Sequence, residues 1–269
     1  MISAVAQLPL RCVSLGLLAL AAFSTPGLAD QRIATRFEIF GFARIGVLTL
    51  RNRLEERGEH YAITADYTTK GIASVFVDLK THAEARGRLI AGSAQPESFR
   101  NDSRRNGAER QSRVDYRPDG TVDGGSKPPL SEPVPLAAMR GTVDNLTAYL
   151  QLERQLARTG SCALTARVFD GRHAYDLVFA DAGRETLSPA GGQKFSGSAI
   201  ACRMTRRYPA GIADSEKDEG ARQGTIWYAR LLPSDWLVPV RMEMDTQLGV
   251  VEGYLAELHA PGVDLTLME

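Results

Sequence analysis

The chain has 269 residues, enough for one large domain or two small ones. Lys plus Arg and Asp plus Glu each number 32, so the formal net charge is zero and no basic excess points to a nucleic-acid partner. With 43% apolar and 24% charged residues, the composition excludes intrinsic disorder, collagen and a polytopic membrane protein.

At the N-terminus, Arg11 precedes an apolar run that ends at Phe23. Ser24-Thr25-Pro26-Gly27-Leu28-Ala29 comes next, with small residues at Gly27 and Ala29. This is the three-part pattern of a secretory signal peptide, with cleavage expected after Ala29. A spanning helix needs about 20 apolar residues, and Pro26 stops the run short of that. Residues 1–29 are therefore expected to be removed, leaving 30–269 as one β-rich domain outside the cytoplasm with no transmembrane segment. Cys12 leaves with the signal. The remaining Cys162 and Cys202, in an oxidising compartment, are most simply one disulfide. They lack the C-x-x-C spacing or nearby histidine pair of a redox or metal site.

Alternation with period two dominates the chain after the signal. It predicts strands over Arg32 to Phe40, Arg44 to Leu54 and His60 to Thr69, the last two joined as a hairpin by the polar turn Glu56-Arg57-Gly58-Glu59. Further strands are expected at Ile72 to Val77, His82 to Ile90, Glu97 to Arg104 and Glu109 to Tyr116, and Pro118-Asp119-Gly120 reads as a turn. Arg86 and Arg88 in one strand, and Arg110 and Arg113 in another, place charge on one face, the mark of antiparallel strands with a wet side. Lys127 to Pro135 holds four prolines in nine residues and is expected as a fixed extended crossing.

One helix is expected over about 144–158. Asp144 is its N-cap, Leu146, Tyr149, Leu150 and Leu156 form its apolar stripe with the charges on the far side, and Gly160 ends it. A single stripe packs against a sheet. Next, Cys162 to Val168 and Ala174 to Phe179 alternate about Asp170-Gly171, a hairpin signal of type I′. Setting Phe169 opposite Arg172 pairs Leu164 with Leu177, Ala166 with Tyr175 and Cys162 with Phe179, and gathers the apolar residues on one face. The last strands are Ala199 to Arg207, Gly224 to Leu231, Val238 to Asp245 and Val250 to Leu258, with Gln247-Leu248-Gly249 turning the final hairpin. A disulfide needs its α-carbons within about 7 Å, whereas two strands separated by a third lie about 9.5 Å apart in a flat sheet. Either the sheet curls strongly or Cys162 lies in the loop after the helix, and a curled, barrel-like sheet is the economical answer. The expected fold is mainly β, a curled antiparallel sheet (a partial β-barrel) wrapped around one α-helix, with one disulfide.

Several segments resemble a known family. They are Phe37-Glu38-Ile39-Phe40 with Gly46, Thr69-Lys70-Gly71, Gln95-Pro96-Glu97-Ser98-Phe99 and Asp144-Asn145-Leu146-Thr147-Ala148. Val168-Phe169-Asp170-Gly171-Arg172 with Tyr175-Asp176-Leu177, then Cys202 and Val238-Pro239-Val240-Arg241, continue the match. Together they resemble the secreted bacterial proteins grouped as domain of unknown function 3108, over nearly all of the chain after the signal. The resemblance implies a periplasmic location and a predominantly β fold; it implies no activity.

Among candidate sites, Asp170, Arg172 and His173 read either as an exposed trio for an acidic or sugar ligand or, with better odds, as turn residues. Tyr175 comes next on the same hairpin. Trp227-Tyr228, Leu231-Leu232 and Trp236-Leu237 read as ordinary core or as the wall of an apolar cavity. His60, His82, His173 and His259 have no metal-ligand spacing, and Asp115, Asp119 and Asp123 are spaced wrongly for an EF-hand. Arg100, Arg104, Arg105, Arg110, Arg113 and Arg117 are expected on a solvated strand face, and Asp214 to Glu219 in a mobile loop. No nucleotide, hydrolase-elbow or zincin motif is present, so no catalytic residue, cofactor or metal is expected. The leading expectation is a non-catalytic envelope protein that binds a lipid or other amphiphile, or an envelope protein partner, in its concavity. The alternatives are a purely structural or interaction protein and an envelope-glycan hydrolase.

Overall fold

The structure, a computed structural model, describes residues 30–208, 222–246 and 249–269. The expected signal peptide, the run Asp214 to Glu219 and Gln247-Leu248 lie outside the described residues.

The described residues form one antiparallel sheet of 14 strands. In chain order these are β1 (Gln31–Phe40), β2 (Gly46–Arg57), β3 (His60–Thr69), β4 (Leu79–Ile90), β5 (Ser93–Arg105), β6 (Ala108–Tyr116), β7 (Val122–Lys127), β8 (Leu164–Phe169), β9 (Ala174–Leu187), β10 (Gly197–Arg207), β11 (Gln223–Ala229), β12 (Val238–Thr246), β13 (Gly249–Ala260) and β14 (Val263–Thr266). The spatial order is β7-β6-β5-β4-β3-β2-β1-β13-β12-β11-β10-β9-β8. The long edge of β13 is shared. Arg241 to Thr246 of β12 pair with its first half and β14 with its second. Where β12 leaves β13, the buried Gln193 amide fills the gap by donating to Val240 O (2.8 Å) and Leu255 O (2.9 Å).

The sheet curls until its two edges approach. The Tyr116 hydroxyl on β6 donates to Phe169 O on β8 at 2.8 Å, and Arg172 in the β8–β9 loop reaches Ser126 Oγ and Pro128 O at the end of β7. Gly171 is required there twice over. Its φ is +85°, and a Cβ would sit 2.9 Å from Arg113 O. The free edge of β8 meets residue 143, where Val143 N donates to Arg167 O and Phe169 N to Val143 O. From that bridge the chain enters α2 (Asn145–Thr159), which lies inside the curl between β3, β4 and β5 on one side and β8 on the other. The fold is thus mainly β, a curled antiparallel sheet around one long helix.

Two leucine rows on α2 divide the core. Leu146 and Leu150 join Phe37, Ile63, Phe99 and Val114; Leu152 and Leu156 join Tyr175, Leu177, Phe179 and Ile226. Asp144 caps the helix through Thr147 N (2.8 Å), and Gly160 ends it in the left-handed conformation. The Cys162–Cys202 disulfide spans 5.6 Å between α-carbons. Cys162 lies in the loop after the helix, held by its N–H to Asp181 at 2.6 Å, so of the two routes open to the bridge the loop is the one taken. The bond ties the C-terminal end of α2 to β10.

Four expectations need correction. The β8–β9 register pairs Ala166 with Leu177 and Phe169 with Ala174, two residues away from the expected one. The turn is a four-residue loop closed by Asp170 Oδ1, which accepts from Arg172 N and His173 N, and not a two-residue type I′ turn. Ile72 to Val77 is not a strand. Gly71 at φ +59° ends β3 and the chain coils through one helical turn, α1 (Ala73–Phe76). Arg110 and Arg113, three residues apart on β6, point to opposite faces. Two strands are not among those expected: β7, whose Gly124 and Gly125 have no strand preference, and β14, whose Val263-Asp264-Leu265-Thr266 alternates over only four residues.

Candidate functional site: the interior of the curled sheet

The site candidate starts from the helix. At 100° per residue, Tyr149 and Glu153 fall between the two leucine rows of α2, in the middle of its buried arc. Glu153 is therefore not on the far side with the other charges. It is half-buried and makes no hydrogen bond or ion pair among the described residues. Burial, and after it the nearby Glu56 charge, pushes its carboxyl up to about 8. Such a group is largely neutral near pH 7 and can donate as well as accept.

Around it stand the side chains that the strands turn inward. Tyr228 on β11, fully buried, lies within electrostatic reach of Glu153 and Tyr149, and burial raises its hydroxyl well above the usual range. Tyr67 on β3 faces the helix from the opposite wall. Burial, with Tyr149 adding to it, pushes its hydroxyl up to about 12 against the opposing pull of Arg206. Arg206 on β10 stacks over Tyr175 at 4.3 Å, and Tyr175 lies 6.1 Å from Tyr208. Met242 and Met244 on β12 complete the wall next to Ile226. Tyr67, Tyr149, Glu153, Arg206, Met242 and Met244 are all only partly buried, so the interior is not sealed around them. An apolar wall with a few polar groups aimed into it is the chemistry of a site for an amphiphile.

The helix end of this interior is closed by polar contacts. Arg154 donates to Glu56 Oε1 at 2.9 Å and lies 5.5 Å from the Trp236 ring. Burial raises Glu56, and Arg154 partly opposes that rise. Asp144 is fully buried. Burial pushes its carboxyl up to about 6, although Thr147 donates to it from both N and Oγ1. Since Thr147 Oγ1 gives its one proton to Asp144, the Tyr61 hydroxyl, 2.8 Å away, donates to Thr147.

The residues singled out from the sequence separate. Tyr175 and Trp236 border the interior. Trp227 points to the opposite face of β11 from Ile226 and Tyr228, next to Arg241 and the outer layer on Tyr254. Asp170, Arg172 and His173 are not an exposed trio. Asp170 and His173 are 19% and 16% exposed, and the loop spans the seam between β8 and β7. Burial raises the Asp170 carboxyl, but the His173 and Arg172 hydrogen bonds outweigh it and leave the group below its ordinary range. The arginine face is real but mixed in sign. A groove of about 640 Å³ on the outer face of β5–β7 is lined by Arg100, Asp102, Arg113, Asp115, Asp123 and Lys127, with Arg113 paired to Asp115. Among the described residues no three His, Cys, Asp or Glu side chains gather as a metal site, and no helix is long and apolar enough to cross a membrane. Sequence reasoning missed Glu153, Tyr149, Tyr67 and Arg206 as site residues. The readable signal was the i, i+4 spacing of Tyr149 and Glu153 inside the apolar stripe.

Fold and interior define a curled β-sheet protein with a helix lodged in its concavity. The chain belongs to the family described as protein of unknown function (DUF3108), which matches residues 36–256. No curated protein matches it. Among solved structures it is similar to the crystal structure of a beta-barrel-like protein of domain of unknown function DUF1849 from Brucella abortus. Identity there is 12% and the TM-score 0.47, over 86% of this chain and 97% of that one.

Proposed function

We propose that this is a non-catalytic cell-envelope protein that holds an amphiphilic ligand in the interior of its curled sheet. The observation that carries the reading is Glu153, a partly accessible acid with no protein partner among the described residues, set among tyrosines and methionines at the centre of the helix's buried face. A polar group in that position is costly unless something satisfies it. An amphiphile would lay its chain against Met242, Met244 and Ile226 and present its polar group to Glu153, Tyr149 and Arg206. The signal-peptide pattern and the disulfide support an envelope location. Glu56 and Glu153 are acids brought close to one another in the interior, but Arg154 already holds the buried Glu56, which weighs against a glycan-hydrolase reading.

The test is native mass spectrometry of the protein from its own cell envelope, followed by organic extraction. The expected result is a bound amphiphile that is lost on denaturation and depleted in Glu153→Lys protein of unchanged fold. A clean apo mass, together with failure to take up an added fluorescent fatty acid, would overturn the reading.

A further inference from the structure

Seven large apolar side chains are exposed among the described residues: Phe42 (91%), Ile45, Ile72, Val75 (80%), Phe76 (75%), Ile90 and Val250. Single exposed apolar residues need no explanation, but clustered ones do. All except Ile90 stand at one end of the sheet, on neighbouring connections. Phe42 and Ile45 lie between β1 and β2, Ile72, Val75 and Phe76 between β3 and β4, and Val250 lies two residues before Glu252, the β13 partner of Phe40. This end is opposite the β2–β3 and β4–β5 turns against which α2 packs.

The turns are built to hold these side chains out. Gly41, Arg44 and Ile45 donate their N–H groups to carbonyls within the first turn. Ser74, Val75 and Val77 do so within the second. Lys70 donates to Glu38 and lies over Gly46, locking the two turns together at their base. Backbone groups satisfied in this way lose little on entering an apolar medium. The charges flanking the tips favour one kind of medium. Asp78 is paired with Arg104, and Glu38 with Lys70 and Arg36. Asp245 and Glu252 bond to the neutral Gln223 and Tyr254 and keep their charge, on the β12–β13 side of this end. Arg44 and Lys80, both exposed, have no acidic partner among the described residues.

We infer that this end of the sheet docks on an anionic lipid bilayer, with Phe42, Ile72, Val75 and Phe76 entering the boundary between headgroups and acyl chains and Arg44 and Lys80 meeting lipid phosphates. Exposed apolar tips with unpaired cations beside them, as Arg44 and Lys80 stand beside the two turns, are how peripheral proteins hold a membrane surface. The inference rests on the amphiphile reading only for what the docked protein would load or unload.

The test is co-sedimentation of the processed protein with phosphatidylcholine vesicles, with and without phosphatidylglycerol at a roughly 3:1 ratio. Binding is expected to the mixed vesicles and to weaken as salt rises. Phe42→Ser with Phe76→Ser should weaken it at least about tenfold. Arg44→Gln with Lys80→Gln should cost several-fold and remove most of the salt dependence. Failure of the wild type to bind mixed vesicles, or unchanged binding by the serine pair, overturns the inference. So does a dimer in sedimentation velocity that the serine pair abolishes, since that gives the surface to a second copy. Native mass spectrometry of the wild type separates the two proposals. A bound amphiphile in a wild type that fails to bind vesicles overturns the docking surface and leaves the interior reading standing; vesicle binding by a wild type with an empty interior does the reverse.

Discussion

At the helix end of the sheet the chain buries polar groups and satisfies them, whereas at the opposite end it exposes apolar groups and leaves them uncovered. Asp144, Thr147 and Tyr61 form a closed chain of donors at the first end, and Arg154 bridges Glu56 and Trp236 beside it. At the second, Phe42, Val75 and Phe76 stand out on turns whose backbones are internally bonded. The contrast separates two uses of sequence. Residues at the helix end hold the fold together, and those at the far end contribute almost nothing to it. Substitutions at the two ends should therefore report in different assays.

The largest stability effect should come from the bridge that fixes the helix. Cys162 and Cys202 close a 40-residue separation, for which the chain-entropy account gives about 4 kcal/mol. Cys202→Ser should lose roughly that in urea unfolding, and reduction of the wild type should mimic it. A midpoint indifferent to both would mean that α2 is held by packing alone.

Glu153→Gln should stabilise, and by an amount that depends on pH. The carboxyl rises from 4.5 to about 8 on folding, so the protein has the full benefit of the neutral acid only below about pH 4.5 and loses it as pH climbs through about 8. The amide has no proton to lose. Its advantage in Tm should be absent near pH 4.5, grow to the equivalent of a few kcal/mol by pH 8 and then level off. A flat difference across that range would place Glu153 in water rather than in the interior.

Asp144→Ala should cost about 1–2 kcal/mol as a lost cap. Asp144→Asn should keep most of the cap, and should flatten the part of the stability profile that the wild type loses as pH rises from about 4 through about 6. Thermal melts of the two variants between pH 4 and 7 separate the cap from the charge.

Each sequence signal reveals only the feature that it constrains. Alternation placed most of the strands because one face of each is wet, and Asp144 and Gly160 bounded the helix correctly. Alternation fixes only parity, however. A slip of two residues in the β8–β9 hairpin keeps Leu164, Ala166, Leu177 and Phe179 on one face, so the agreement of faces could not detect it. The loop was decided instead by the Asp170 side chain and by the closeness of Gly171 to β6. Ile72 to Val77 misleads because an apolar run reads as a buried strand, and burial is the wrong premise there. For Glu153 the pattern is present, since Tyr149 stands one turn before it, but a carboxylate on a helix reads by default as part of the charged side.

The smallest expected effect is on the fold and the most telling. Phe42→Ser together with Phe76→Ser removes two of the largest exposed apolar side chains from turns held by their own backbone bonds. Exposed positions free of caps, cavities or buried partners usually shift stability by less than about 0.5 kcal/mol. The pair should therefore melt with the wild type while losing its binding to anionic vesicles. A clear drop in Tm would show that the two phenylalanines pack against something in solution, and the contrast between the two ends would fail at its apolar side. An unchanged Tm with lost membrane binding would establish that this end of the sheet is shaped for a surface outside the molecule. Ile72, Val75 and Phe76 would then be apolar for that reason, since nothing among the described residues covers them.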